Sequence, residues 1–215
     1  MLTVVTPASD PALIAIADLR AACGYDPADS SHDADLQRMS ERLTQDVCLA
    51  CNIAIAAGYP PTLRREVLRQ SFRFPRFASI VLARRHDVEI VSIDIDGADL
   101  GEDEREVDSE SGIVRRLCDG RRSAWRGKMV TVTYRAGFVA IPADLSGTVA
   151  DLARFRISEA ARDPLMRSVT TDIDGLESIR RDYWIGALPG QEMAGGALPS
   201  HLLSQLKRFR NAAVA

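Results

Sequence analysis

Lysine, cysteine and histidine are all scarce in this sequence of 215 residues. It holds two lysines, four cysteines and three histidines, and arginine supplies the other 25 cationic side chains. The cysteines show no pairing pattern, which indicates a reducing compartment rather than a disulfide framework. The histidines, at positions 32, 86 and 201, are spread too widely to predict a metal or catalytic cluster.

A long hydrophobic run and an excess of basic charge are also missing. The longest nearly apolar run covers the eleven residues 47–57 and is interrupted by Asn52, whereas a bilayer span needs about 20 residues. Residues 1–6 lack the basic start of a secretory signal, so we expect a protein that is made in the cytoplasm and makes no membrane contact. The net charge of −3 is opposite in sign to that of a typical nucleic-acid binder.

The sequence does contain enough apolar material for a core. Hydrophobic residues make up 46% of the chain and charged residues 27%, which is the composition of a globular protein rather than a disordered one. A chain of this length buries roughly 70% of its unfolded surface. We therefore expect a folded domain that needs no disulfide or structural metal for stability.

The predicted elements are helices, then strands, then a helix again. Apolar spacing predicts a helix that begins at Asp10, a long helix after Ser30 and Ser31, a third helix from Thr62 and another after Pro142. Short alternating segments between these last two helices predict antiparallel strands. This order predicts an α+β fold with a helical body, an inserted small antiparallel β-sheet and an extended C-terminal arm.

The same pattern sets the expected boundaries. We expect residues 1–71 to form the N-terminal helices of the body, 72–140 the inserted antiparallel β region, 141–165 a body helix, 166–186 the extended arm, and 187–215 a flexible linker with a short basic C-terminal helix. Within the β region, the alternation of residues 88–95 slips at Ile90-Val91, which predicts a β-bulge. Asp96-Gly97 and Ser111-Gly112 are turn signals, and residues 129–134 alternate as a half-buried strand does.

Motifs that would carry chemistry fail on their spacing. Cys48-x-x-Cys51 lies in an apolar helical run and has no second ligand pair, so two buried hydrophobic residues are expected there rather than a zinc or redox site. Gly120 to Lys128 has the wrong spacing for a phosphate loop. We therefore expect no metal, no cofactor and no catalytic residue.

One charge pattern is unusual. Between residues 94 and 110 nine acidic side chains accompany one base, and between residues 115 and 128 six bases accompany one acid. Two interpretations are open: the charges keep a solvated hairpin soluble, or the acidic surface of one copy meets the arginine-rich surface of its neighbour, a head-to-tail contact that closes into a ring. The second interpretation predicts a subunit interface formed by Asp103, Glu104, Glu106, Arg115, Arg116, Arg121, Arg122 and Arg126.

An ordered set of short motifs resembles one known family. The set comprises Leu2-Thr3-Val4-Val5-Thr6-Pro7, Phe72-Arg73-Phe74-Pro75, the segment 88–97, Val107-Asp108 with Gly112-Ile113-Val114, Trp125-x-Gly127, and the segments 130–138 and 141–145. Across residues 1–185 the chain resembles the head–tail connector, or adaptor, proteins of tailed bacteriophages and of gene transfer agents.

The resemblance implies a structural protein of a virion or phage-like particle, without catalysis. In that family a ring of usually twelve copies lies beneath the portal protein at the head–tail junction. A tail, stopper or terminator protein docks on the ring, and DNA passes through its channel without sequence-specific binding. The residues expected to dock on such partners are Trp184, Leu202, Leu206, Lys207, Arg208, Phe209 and Arg210.

Two other functions are open from the sequence. In a DNA-binding regulatory protein, the helices predicted in residues 10–71 would present Arg64, Arg65 and Arg69 to the duplex, although the net charge opposes this use. A small enzyme without a recognisable motif would require a deep cleft in which titratable side chains converge.

Overall fold

The N-terminal residues form the edge strand of a sheet. In the computed structural model, which describes residues 1–26, 28–160, 168–173, 177–182 and 198–211, the first strand pairs with a strand more than sixty positions away. The amino group of Met1 extends this pairing by donating to the carbonyl of Ser71 at 2.9 Å. Sheet and helices are therefore interleaved from the start of the chain.

Nine strands occur among the described residues between positions 2 and 136. They are β1 (Leu2–Thr6), β2 (Glu66–Arg73), β3 (Ser79–Val81), β4 (Glu89–Ile95), β5 (Ala98–Asp99), β6 (Arg105–Asp108), β7 (Ile113–Cys118), β8 (Arg121–Ser123) and β9 (Met129–Ala136). One antiparallel sheet has the order β1-β2-β9-β4-β5. In the second, β7 pairs with β3, β6 and β8.

Side chains of the two sheets share one hydrophobic core, called the β core below. Val130, Val132 and Tyr134 of β9 are fully buried in it, which confirms the predicted alternation. The predicted bulge is also confirmed, because the pairing of β4 with β9 shifts register between Ile90 and Ser92. The predicted turns join β4 to β5 and β6 to β7.

The helix predicted from Thr62 is wrong, because residues 66–73 form strand β2. This strand is paired on both sides, with β1 and with β9, and that pairing outweighs a weak helical spacing. Its alternation is hard to recognise since Glu66 and Gln70, on the same side of the strand as the buried Leu68, are polar. The five-stranded sheet therefore includes residues on both sides of position 72, where we expected the N-terminal helices to end and the β region to begin.

Four α-helices occur in the described residues: α1 (Ile16–Ala22), α2 (Asp33–Ala50), α3 (Ala143–Ala160) and α4 (Ser200–Leu206). The helix expected from Asp10 begins only at Ile16, and before it the Asp10 carboxylate accepts the amide of Ala12 at 2.9 Å in a local turn. None of the described helices has the length and hydrophobicity that a membrane crossing requires. Helices and antiparallel sheets together confirm the α+β class.

The helices enclose a second core, called the helical core below. Its main members are Leu13, Leu19, Leu36, Leu43, Val47, Leu63, Leu145, Val149, Leu152, Leu202, Leu206 and Phe209. Helices α2 and α3 each contribute apolar side chains to this core, namely Leu36, Leu43 and Val47 of α2 and Leu145, Val149 and Leu152 of α3. The part of the chain that the structure describes therefore has two hydrophobic cores, one between sheets and one between helices.

A buried polar network joins the two cores. The side chains of Glu66 and Arg84 form an ion pair and are only 3% and 4% exposed. Arg84 also donates through Nε to the carbonyl of Ala54, just after α2, at 3.2 Å. Asn211, near the C-terminus, donates through Nδ2 to the carbonyl of Ala83 at 3.0 Å. The network thus ties the end of α2, the β core and the C-terminal segment together.

The segment predicted to be an extended arm contains two short strands. They are β10 (Ser168–Ile173) and β11 (Glu177–Asp182), which pair antiparallel. Trp184 and the expected linker at 187–197 lie outside the described residues. The short C-terminal helix predicted after the linker is confirmed as α4, which a 3-10 turn at Lys207–Phe209 continues.

Candidate functional site

Strands β6, β7 and β8 carry the charges that the sequence predicts to form an interface. Glu106 on β6 accepts hydrogen bonds from Arg122 at 2.8 and 2.9 Å and from Arg115 at 3.2 Å. Antiparallel pairing places Glu106 directly opposite Arg115. The bond from Arg122 holds the pKa of the Glu106 carboxyl below its ordinary value, and the carboxylate in turn raises the pKa of Arg122. These three residues are therefore already paired within the chain.

The other predicted interface residues fall on separate surfaces. Asp103 and Glu104 are exposed in the loop between β5 and β6. Arg121 and Arg126 are exposed, whereas Arg116 is half-buried and its Nε has no hydrogen-bond partner among the described residues. Strand β5 is an edge strand of the five-stranded sheet, and we call the exposed acids of β5 and of this loop the acidic edge. They are Asp99, Glu102, Asp103 and Glu104.

A basic surface lies where β2 ends and β9 begins. The amide of Phe74 donates to the carbonyl of Lys128 and the amide of Trp125 to the carbonyl of Phe77, both at 2.9 Å, so residues 74–77 run beside 124–128. A cleft of about 460 Å³ opens between the two segments. We call the exposed side chains here the basic tip. They are Arg73, Phe74, Arg76, Phe77, Arg126, Lys128 and Met129.

Sequence reasoning found only Arg126 of this surface. The signal that could have revealed the rest is the alternation of phenylalanine and arginine in residues 72–77, Phe-Arg-Phe-Pro-Arg-Phe. If these phenylalanines packed in the core of a strand, their side chains would all lie on its buried face. Here Phe74 and Phe77 are instead 70% and 58% exposed.

Three residues hold the basic tip in shape. Trp125 is fully buried in the β core and donates through Nε1 to a carbonyl of β7 at 3.3 Å. Gly127 has φ +148°, and a Cβ there would lie 3.1 Å from the Asp96 carboxylate. Asp96 accepts the amides of Lys128 at 2.8 Å and Met129 at 2.7 Å, and these bonds hold the pKa of Asp96 below its ordinary value. The tip is therefore preformed rather than a free loop.

The C-terminal residues predicted to dock on a partner divide into two groups. Leu202 and Leu206 are 1% exposed and Phe209 is 5% exposed, so these side chains are packed in the helical core of their own chain. The prediction that they dock on a partner is incompatible with this packing. Lys207, Arg208 and Arg210 are exposed, and the Arg208 guanidinium lies 4.7 Å from the Phe209 ring centroid. Trp184 lies outside the described residues.

The cysteine pair and the cleft at the basic tip do not form a reactive centre. The described residues contain no group of three or more His, Cys, Asp or Glu side chains that could hold a metal ion. Burial raises the pKa of both Cys48 and Cys51 to about 12, so both thiols are protonated and unreactive at neutral pH. The cleft at the basic tip is lined by Arg76 and Arg126 but by no carboxylate or histidine, so it lacks an acid–base pair.

The alternative of a DNA-binding helix is contradicted by strand β2. Arg64 donates to the carbonyl of Ala12 at 2.8 Å, and Arg65 forms an ion pair with Asp87 at 2.9 Å. Arg69 is exposed, but it lies on β2 rather than on a helix. The arginines that this alternative requires are therefore not presented together on a helical face.

Comparison with known proteins places the fold beside chains of phage-like particles. No protein-family model matches the chain, and no curated protein matches it. A chain in the virion of a native gene transfer agent particle and a chain in the neck of an empty gene transfer agent particle, computed with C6 symmetry, each match with a TM-score of 0.59. A chain in the neck of the native particle, computed with C12 symmetry, matches with a TM-score of 0.51.

The likeness extends over the whole chain. Each match covers 100% of this chain and 97% of the other, at 16% sequence identity. Identity at this level shows a shared fold and nothing finer. The chain has a fold that occurs in the virion and the neck of gene transfer agent particles.

Proposed function

We propose that this chain is a structural protein at the neck of a phage-like particle, a head–tail connector of the family that its sequence resembles. The observation that carries the proposal is the similarity in fold, over the entire chain, to chains from the neck of gene transfer agent particles. The ordered motifs between residues 1 and 145 support the same assignment independently of the fold.

In this proposal the chain forms a ring at the head–tail junction. Neck structures with C6 and C12 symmetry support a ring of repeated copies, and we propose twelve. A closed ring needs two unlike lateral surfaces on each copy, and the basic tip and the acidic edge are such surfaces. DNA passes through the channel, where the net charge of −3 disfavours strong binding to phosphates.

The ring has partners on both sides. We propose that the portal protein lies on one side and a tail, stopper or terminator protein on the other. The exposed cations Lys207, Arg208 and Arg210, together with Trp184, are the residues of the C-terminal part that we assign to these contacts. The chain is made in the host cytoplasm and functions without cofactor, metal or catalysis.

Gene deletion in the cells that produce the particle tests this proposal. Without the chain, we expect DNA-filled heads and separate tails, because nothing joins portal to tail. A tagged wild-type copy should restore joined particles and give extra density at the neck in electron micrographs. As a matched control, a copy with Arg42→Glu, a change of an exposed α2 side chain, should restore them equally. Normal particles in the deletion strain, or a tag found along the tail or capsid shell, would overturn the proposal.

A further inference from the structure

Four exposed cations, Arg73, Arg76, Arg126 and Lys128, supply the positive charge of the basic tip. Among the described residues, no acidic side chain lies within ion-pair distance of Arg73, Arg76, Arg126 or Lys128, in contrast to Arg115 and Arg122 on the neighbouring sheet. The carboxylate of Asp96 does lie at the tip, but it accepts the two backbone amides described above. The tip therefore presents three exposed arginines and Lys128 on a preformed surface, and the charge of Lys128 also acts on the Asp96 carboxylate.

Exposed hydrophobic side chains lie among these cations. Phe74 is 70% exposed, Phe77 58% and Met129 43%. Aromatic residues, methionine and arginine are the types enriched where proteins bind one another. The composition of the tip therefore favours a protein partner.

The backbone of the tip is also strained. Phe74 has φ +48°, a left-handed conformation that is a genuine outlier for a bulky aromatic residue. Its amide is fixed in this position by the hydrogen bond to the Lys128 carbonyl. Strain that persists at an exposed aromatic residue is typical of a binding site.

The acidic edge, whose charge is complementary to that of the basic tip, lies elsewhere on the same chain. The acidic edge lies on the edge strand β5 and the loop that follows it, whereas the tip lies at the ends of the interior strands β2 and β9. All four acids of the edge are exposed, and of these Glu102 forms an ion pair with Arg105 at 3.0 Å. Each copy therefore carries one acidic surface and one basic surface in different positions.

We propose that the basic tip of one copy binds the acidic edge of the next copy, as the lateral contact of the ring assigned to this chain under Proposed function. Two unlike surfaces generate a head-to-tail arrangement, which closes into a ring when the rotation between neighbouring copies is a whole fraction of a turn. Contact between two basic tips, or between two acidic edges, brings like charges together and is disfavoured. The charges thus fix the order of the copies, while Phe74 and Phe77 supply the apolar area.

Charge reversal on each surface tests the contact. One variant carries Arg76→Glu and Arg126→Glu, a second carries Asp103→Arg and Glu104→Arg, and a third carries all four changes. The control is Arg42→Glu on α2. Self-association of the purified full chain is followed by sedimentation velocity over a concentration series at low ionic strength, after circular dichroism has shown that each variant is folded.

The proposal predicts a specific pattern. Each double variant should require a concentration at least about tenfold higher than wild type for the same degree of association, since like charges then face each other. The fourfold variant should recover most of the loss, because opposite charges meet again with their signs exchanged. Arg42→Glu should associate as wild type does.

Several results would overturn the proposal. These are equal association of wild type and the tip variant, a fourfold variant no better than the doubles, or a wild-type chain that stays monomeric at about 1 mM. Loss of duplex DNA binding in the tip variant, with self-association unchanged, would assign the tip to nucleic acid instead. A chain found at the neck whose reversed variants still join heads to tails would refute this contact and leave the proposed function intact.

Discussion

At the scale of single residues, Glu66 and Arg84 are the pair on which the junction of the two cores depends. Both side chains are buried, and each is the other's counter-charge. Removal of one partner from a buried pair leaves an uncompensated charge, which costs about 3–5 kcal/mol. We expect Arg84→Met to lower the free energy of unfolding by about this amount, measured by urea denaturation with circular dichroism.

The double variant Glu66→Leu with Arg84→Met is the control for this prediction. Two apolar side chains of similar volume leave no buried charge, so most of the lost stability should return. If the double variant is as unstable as Arg84→Met alone, the loss comes from packing and not from the unpaired charge.

Asp96 determines how the basic tip responds to acid. Its hydrogen bonds with the Lys128 and Met129 amides hold its pKa below the ordinary value of 3.8. A carboxyl group whose pKa is lowered by folding contributes stability above its unfolded pKa, and that stability is lost as the pH falls through the folded pKa. The tip should therefore stay ordered at neutral pH and loosen only below pH 3.8.

Nuclear magnetic resonance measures this directly. The amide shifts of Lys128 and Met129 should titrate with a midpoint below 3.8, and Asp96→Asn should abolish that titration. Amides of the helical core report global acid unfolding and serve as the control. A midpoint at or above 3.8 would contradict the bonding described for Asp96.

At the scale of elements, helix α4 belongs to the fold rather than to a free tail. Leu206 is 1% exposed in the helical core, whereas its neighbour Lys207 is exposed. Leu206→Ala should cost about 2–5 kcal/mol of stability, since it leaves a cavity. Lys207→Ala, the matched control, should change stability by less than about 0.5 kcal/mol. Thermal and urea denaturation measure both, and a Leu206→Ala protein as stable as wild type would mean that α4 is not packed in solution.

The strands that the sequence predicts well are those whose signal is local. In β9 the alternation of apolar residues is intact, and in β4 the slip of the alternation at Ile90-Val91 marks the bulge. Strand β2 escapes prediction because Glu66 and Gln70 occupy inward positions, and their partners come from elsewhere in the chain. The Gln70 Oε1 atom accepts the amide of Ala83 at 2.9 Å, and Arg84 pairs with Glu66.

The two proposed interaction surfaces also depend on contacts between distant parts of the sequence, which local patterns do not predict. The charge pattern of residues 94–128 predicts where charges concentrate but not which of them pair within the chain. Glu106, Arg115 and Arg122, for example, pair with one another. The basic tip joins two segments, 73–77 and 126–129, that only the pairing of β2 with β9 brings together. An amphipathic helix such as α4 likewise does not reveal whether its apolar face packs on its own chain or on a partner.

At the scale of the whole molecule, two cores raise the question of whether they unfold together. The chain crosses between them repeatedly: β1 enters the sheet before α1 and α2, and α3 and α4 follow the last strand of the β core. The buried pair of Glu66 with Arg84 and the bonds of Asn211 lie at the boundary. Separation of the cores would break the bonds that Arg84 donates to the Ala54 carbonyl and Asn211 donates to the Ala83 carbonyl, so we expect the cores to unfold as one unit.

Two probes, one for each core, test this cooperativity. In a Trp184→Phe variant, Trp125 is the remaining tryptophan and reports the β core by fluorescence, while circular dichroism at the helical band reports mainly the helical core. A single cooperative transition requires the two urea midpoints to coincide. Leu152→Ala in α3 should shift both midpoints together by the same amount, although it lies in the other core from Trp125. If Leu152→Ala shifts only the dichroism curve, the cores are independent and the polar junction does not couple them.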